Sequence, residues 1–182
     1  MTEDELRKIT IGEPKVVNDT IAVIDYDANW PKLYEKQAWR IRTALSDRVL
    51  CLEHVGSTSV PGLAAKPIID IVLAVADSAD EAAYIPTLEN TGYVLQIREP
   101  EFHQHRMLKG TDPNVNLHCY SGGCPEIDRL IRFRNWLRAN ADDRLLYERT
   151  KRELAARTWK YVQDYADAKT AVVQEILERC FL

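Results

Sequence analysis

Three features of this sequence predict an α+β fold, a mixed β-sheet flanked by helices and followed by a C-terminal helical bundle. Residues 67–75, Pro-Ile-Ile-Asp-Ile-Val-Leu-Ala-Val, form the near-continuous β-branched run of an internal strand covered on both faces. Shorter β-type runs follow at Tyr93–Ile97, Arg106–Lys109 and Val115–Tyr120. After Gly123 the apolar residues recur at helical spacing to the end of the chain. Strands grouped first and helices grouped last are the pattern of an α+β chain.

Composition narrows the function classes. The 182 residues are 46% hydrophobic and 29% charged, the balance of a folded globular protein. Twenty-eight acids against 24 bases give a net charge of −4, which argues against general nucleic-acid binding. No apolar run approaches the ~20 residues of a membrane span. The polar, acidic start Met1-Thr-Glu-Asp-Glu-Leu has neither signal nor transit character, so a cytoplasmic location is expected. Four cysteines, Cys51, Cys119, Cys124 and Cys180, form no C-x-x-C pair and read as reduced thiols.

Taken in order, residues 1–19 carry few large apolar groups and read as an arm. Thr20–Ile24 is strand-like, and Asp25–Asn29 is a turn cluster leading to Trp30-Pro31. Asn29 as N-cap, proline in the first turn and the stripe Leu33, Ala38, Ile41, Leu45 predict a helix. Val49–Leu52 reads as a short buried strand, and Asp80–Asn90 as a helix closed by Thr91-Gly92. Beyond Gly123, Ile127, Leu130, Ile131, Phe133, Trp136 and Leu137 give one apolar face, then Leu145, Leu146 and Leu154. A last helix carries Val162, Tyr165, Ala168, Val172, Ile176 and Leu177. The predicted organisation is an arm over 1–19, an α/β core over 20–123 and helices over 124–182 that pack on the core as one compact unit.

The chemistry concentrates in Glu53-His54-Val-Gly56-Ser57-Thr58-Ser59-Val-Pro61-Gly62-Leu-Ala-Ala-Lys66-Pro67-Ile-Ile-Asp70-Ile71. A strand ends at His54, turns through small hydroxyl residues with exposed amides, and re-enters a buried strand bearing one acid. Such a turn suits an anion. Lys66 adds a positive charge nearby. An ionised carboxylate inside an apolar strand must be paired, metal-bound or reactive, which makes Asp70 the strongest anomaly. The plainer alternative has the serines and Thr58 capping a turn and Asp70 paired with Lys66 or an arginine.

A Gly-Ser after one strand and an acid on the next resembles the signature of the DNA polymerase beta-like nucleotidyltransferase fold. The longer stretch His54-Val-Gly-Ser-Thr-Ser-Val-Pro-Gly-Leu-Ala-Ala-Lys-Pro-Ile-Ile-Asp-Ile71 is similar to the hallmark of the GrpB family. Further matches follow in order over residues 20–180: Tyr26-Asp27 with Trp30-Pro31, Thr91-Gly92-Tyr93, His105-Arg106, Val115-Asn-Leu-His118, Phe133-Arg134 with Leu137-Arg138, Tyr147 with Lys151, and Tyr165 with Lys169. The resemblance implies the nucleotidyltransferase-like fold, with Gly56, Ser57, Thr58, Ser59 and His54 near a ligand and Asp70 as the one matching metal-ligand candidate, Mg²⁺ being the ion expected. It also implies two more carboxylates, and these are missing. The second would share Asp70's face at position 72, which is Val72; on the later strand Asn116 and His118 share a face without an acid. Two-metal catalysis needs several carboxylates. One metal, or none, is what this set leaves open, with Asp70 and His118 as the catalytic candidates.

Other constellations are weaker. His103-x-His105 with His118 has the spacing of a transition-metal site, although His103 falls in a loop. His118-Cys119 with Cys124 is weaker still, because neighbours on a strand point apart. No G-x-S-x-G elbow marks a hydrolase. Tyr147/Lys151 and Tyr165/Lys169 each share a helix face, facing either a pocket or solvent. Residues 129–169 hold eleven Lys/Arg against six Asp/Glu. Lys151, Lys169, Lys66, Arg106, Asn116 and Arg134 (with Arg138) are therefore ligand-clamp candidates, whereas Glu126 and Arg129 read as a local salt bridge. The expectation is a protein that binds a nucleotide or another phosphate- or carboxylate-bearing small molecule, with nucleotidyl or acyl transfer as its chemistry. The alternative is a non-catalytic small-anion-binding or regulatory module on a degenerate transferase fold.

Overall fold

The computed structural model describes residues 1–180; the last two positions of the predicted final helix lie outside them. Five strands form one mixed sheet in the order β1-β2-β5-β4-β3, from β1 (Cys51–Val55), β2 (Ile69–Val75), β3 (Val94–Glu99), β4 (His105–Thr111) and β5 (Asn114–Ser121). Only β2 and β5 run parallel, and the other pairs are antiparallel. Three helices, α1 (Glu3–Ile9), α2 (Trp30–Leu45) and α3 (Ile85–Glu89), precede β3, and α4 (Pro125–Ala139), α5 (Ala141–Ala155), α6 (Val162–Ala168) and α7 (Thr170–Cys180) follow β5. The α+β class predicted from the sequence is the one observed.

The β2 sequence has few polar residues because both of its faces are covered. Ile69, Ile71, Leu73 and Val75 alternate onto the α2/α3 side, where they join Ile41, Leu45 and Leu88 in the main core. Val72 and Ala74 face the other way and pack with Val55, Tyr120 and Ile127 of α4. Asp70 lies on this second face. A smaller cluster, Val60, Leu63, Leu137, Tyr147, Val172 and Ile176, fastens the C-terminal helices to the chain just after the Gly56–Ser59 turn.

Several local expectations are corrected. Residues 1–19 contain a helix, α1 (Glu3–Ile9), started by a capping box between Thr2 and Glu5. Leu6 is buried, and the Ile11 amide donates to the Gln96 carbonyl at 2.8 Å, so the arm lies along the β3 edge. Thr20–Ile24 does not join the sheet. Its hydrogen bonds go to the Ala155 carbonyl and to Ala65, so its extended tendency is satisfied by a helix end and a loop. Asn29 makes no side-chain cap; it has helical dihedrals, and its amide instead donates to the Asp27 carboxylate. The helix expected over 80–90 splits into a 3₁₀ turn (Glu81–Ala83) and α3. Tyr84 (φ −144°) and Pro86, which lacks an N–H and disfavours helix in the residue before it, separate the two.

Candidate functional site

The site begins where β1 ends. Gly56 takes φ +68°, a conformation open to glycine, and the chain enters a 3₁₀ turn, Ser57–Ser59. A methyl group added at Gly56 would lie 2.5 Å from Asp70 Oδ2, so the turn's backbone sits directly on the carboxylate. Two of the three hydroxyls hold the turn itself. Thr58 Oγ1 donates to the Ile68 carbonyl at 3.0 Å, and Ser59 Oγ to the Gly56 carbonyl at 2.5 Å. Ser57 is left on the pocket side, hydrogen-bonded with Tyr147 of α5.

The register of β2 with β5 sets Asp70 opposite Asn116 and Val72 opposite His118. Asn116 Nδ2 donates to Asp70 Oδ1 at 2.8 Å, and Lys109 of β4 donates to Asn116 Oδ1 at 2.8 Å. His118 Nε2 lies 3.8 Å from Asp70 Oδ1, within ion-pair range. Burial alone would raise the Asp70 pKa. His118, the Asn116 amide and Lys66 outweigh it, and the carboxyl is held below its ordinary value. Its side chain keeps 28% of its surface exposed.

Three lysines, Lys66, Lys109 and Lys169, lie within range of the Asp70 charge, and a fourth, Lys151, lies beside Lys169 and Glu148. Lys151 is only 2% exposed, donates to the Ala64 carbonyl and lies over the Tyr147 ring, 4.7 Å from its centroid. Lys169 and Lys66 share the Tyr165 ring, at 4.7 and 5.4 Å. Among the described residues none of Lys66, Lys109, Lys151 and Lys169 forms an ion pair with a carboxylate. Burial, and then mutual repulsion with Lys169, pushes Lys66 down to about 8 and Lys151 down to about 7. Lys109 and Lys169 are lowered by burial as well.

Other predicted site residues lie elsewhere. Arg106 is on the opposite face of the sheet, because side chains alternate along β4 and Lys109 occupies the site's face. Its guanidinium is held by Glu81 at 2.5 Å and by the Gln104 and His105 carbonyls. His54 also points away from Asp70. Its ring stacks on Tyr34 and contacts Thr58 Oγ1 at 3.0 Å, and burial pushes it down to about 4, so it supports the turn as a neutral ring. Arg134 is occupied by the Glu53 carboxylate and the His54 carbonyl, and Arg138 by the Ser59 carbonyl. These two arginines bind the turn to α4 and leave no free fork for a ligand. Glu126 and Arg129 form the local salt bridge expected, at 2.6 Å.

A cleft of about 550 Å³ lies away from the site. It is lined by Leu50, Cys51, Ala74, Gly122 and Ile131. His103 is exposed and does not join the other two histidines in a cluster, whereas His105 Nε2 and His118 Nδ1 are 3.1 Å apart. Sequence reasoning missed Lys109, since only the β4–β5 register reveals it.

The donor set does not fit a resident divalent ion. Asp70 is the one carboxylate on this part of the sheet, its Oδ1 already accepts from Asn116, and Lys66, Lys109 and Lys169 act on it. Val72 is fully buried in the apolar layer where the second acid would stand, and Asn116 presents an amide N–H where a carboxylate would be useful to a metal. Among the described residues no group of three or more His, Cys, Asp and Glu side chains could hold a metal. No described helix is long and apolar enough to cross a membrane.

Known proteins are similar to this one over nearly the whole chain. A UPF0157 protein of Halalkalibacterium halodurans is 56% identical over 98% of this chain and 91% of its own. The crystal structure of the conserved protein GrpB from Enterococcus faecalis superposes with a TM-score of 0.77 at 31% identity, covering 87% of this chain and 96% of that one. A dephospho-CoA kinase of Mycolicibacterium paratuberculosis is 28% identical over 92% of this chain and 47% of its own length. The model of the GrpB protein family matches residues 20–179, and the chain belongs to that family.

Proposed function

We propose that the chain binds a small molecule bearing phosphate groups at the Gly56–Ser59 turn, with Lys66, Lys109, Lys151 and Lys169 as its counter-charges. The observation that carries this reading is a cluster of buried lysines without an ion-paired carboxylate, Lys66, Lys109 and Lys169 about Asp70 and Lys151 beside Lys169. Burying unpaired ammonium groups costs stability, and an anion in their midst offsets that cost. A phosphate ester supplies the charge, and Ser57 with the neighbouring amides supplies the matching donors. The lysines do here what a metal ion would otherwise do, so binding proceeds without a divalent cation. Dephospho-CoA and nucleotides are the ligand types to which the relative named for a phosphate-bearing substrate and the nucleotidyltransferase-like resemblance direct attention. In this reading Asp70 and His118 move a proton beside the bound group, and their 3.8 Å separation supports it. Two-metal nucleotidyl transfer finds no support in this acid set.

Titration calorimetry with ATP, dephospho-CoA and pyrophosphate, in EDTA and in Mg²⁺, tests the reading. At least one of these ligands should bind equally well in both buffers. Binding at pH 8 should take up protons, because the anion recharges Lys151 and Lys66. Lys151→Met and Lys169→Met should each weaken binding by ~1–3 kcal/mol, the range for hydrogen bonds to charged groups. Absence of binding by all three, or unchanged affinity in the double variant, overturns it. A second reading, a binding module without turnover, is favoured by the missing carboxylates. Phosphorus NMR of the bound ligand separates the two, since a module returns it unchanged.

A further inference from the structure

One chain of titratable groups leads away from the anion site. Glu99 of β3, His105 of β4, His118 of β5 and Asp70 of β2 form a continuous chain across four neighbouring strands on one face of the sheet. Glu99 Oε2 lies 2.6 Å from His105 Nδ1, and His105 Nε2 lies 3.1 Å from His118 Nδ1. The rings of His105 and His118 stack at 5.2 Å, and Tyr120 stacks on His105 at 4.8 Å.

The order of donors follows from the end of the chain. An ionised carboxylate only accepts, so His105 must donate Nδ1–H to Glu99, and the lone pair of its Nε2 is then an acceptor. The only proton that can fill the 3.1 Å gap to His118 is therefore on His118 Nδ1. That makes Nε2, turned towards Asp70, the nitrogen of His118 that gains and loses the proton, charged and paired with Asp70 when it holds one. We infer that Glu99 and His105 are positioning residues that lock His118 in its Nδ1–H tautomer and present His118 Nε2 to the site as its proton acceptor.

The inference deepens the anion-site reading and rests on it only for the source of the proton. When His118 Nε2 takes a proton, His118 becomes an imidazolium. Its Nδ1 proton can pass to His105 Nε2, and the His105 Nδ1 proton to Glu99, whose side chain is 20% exposed to water. One proton enters at the site and one leaves at the surface, with both rings returned to neutrality. Glu99, Glu126 of α4 and Asp70 are the negative groups acting on the two rings, and Arg129 neutralises Glu126. The chain needs no metal, and the donor set around Asp70 does not fit one.

Nitrogen-15 long-range correlation spectra of the four histidines, taken on ligand-free protein at pH 8 in EDTA, test this directly. The result expected is Nδ1–H for both His105 and His118, the reverse of the Nε2–H form that free imidazole side chains prefer. Glu99→Gln can donate as well as accept, so it should return a substantial fraction of His118 to Nε2–H. His105→Phe should do so fully while keeping the ring stack. If His105→Phe fails to fold, Glu99→Gln carries the test, since its side chain lies at the surface. His118 found as Nε2–H in the unaltered protein, or unchanged in tautomer by Glu99→Gln, overturns the inference. Failure of phosphate binding leaves these spectra unaffected, so the two readings fail separately.

Discussion

Lys151 carries the clearest energetic signature of the site. Its pKa falls from the ordinary lysine value to about 7 because its ammonium is buried against a carbonyl and an aromatic ring. The unfolded chain therefore binds more protons than the folded one between about pH 7 and the ordinary lysine range. Folding stability should rise with pH across that window, and the full penalty should be present below it. Denaturation at pH 7 and at pH 9 should show the gain, and Lys151→Met should reduce it, Lys66 supplying the remainder, while leaving the protein as stable or more stable at pH 7. The sequence offered part of this. Helical spacing put each lysine beside its tyrosine, but whether the pairs faced a pocket depended on packing that no local pattern encodes. His54 shows the converse. Membership of the glycine–serine motif suggested ligand contact, yet the β1–β2 register pairs Val55 with Asp70 and turns His54 to the other face.

Among the elements, the turn after β1 is the one most tightly specified. Gly56 combines a positive φ with a would-be Cβ against Asp70 Oδ2. Gly56→Ala should cost about 1–3 kcal/mol, the range for a strained backbone conformation, readable as a lower denaturant midpoint, and should displace Asp70 from Asn116. This element was legible because its residue types are constrained by geometry. The arm was less so: Thr2-x-x-Glu5 is a capping-box pattern, but its helix is short and is stabilised by burying Leu6. Residues 20–24 and 80–90 were misread for a common reason. Propensity reports what a segment tolerates, and the available partners, or Pro86, decided what each became.

At the scale of the molecule, two peripheral pieces complete the sheet. The arm lies on the β3 edge through Thr10, Ile11 and their partners Ile97 and Gln96. An uncovered edge strand is a template for pairing with other chains. Removing residues 1–11 should lower the melting temperature and increase self-association, as measured by light scattering after gel filtration. The C-terminal helices do the corresponding work on one face. Arg134 and Arg138 reach back 80 and 79 residues to the turn, and Lys151 reaches back 87. Those spans have a consequence for synthesis. A ribosome adding about 5–20 residues per second finishes Asp70 and its turn several seconds before Lys151 and Lys169 emerge. During that interval the nascent chain holds a carboxylate and a turn with Lys151 and Lys169 not yet made, so the lysine cluster is a property of the finished polypeptide alone.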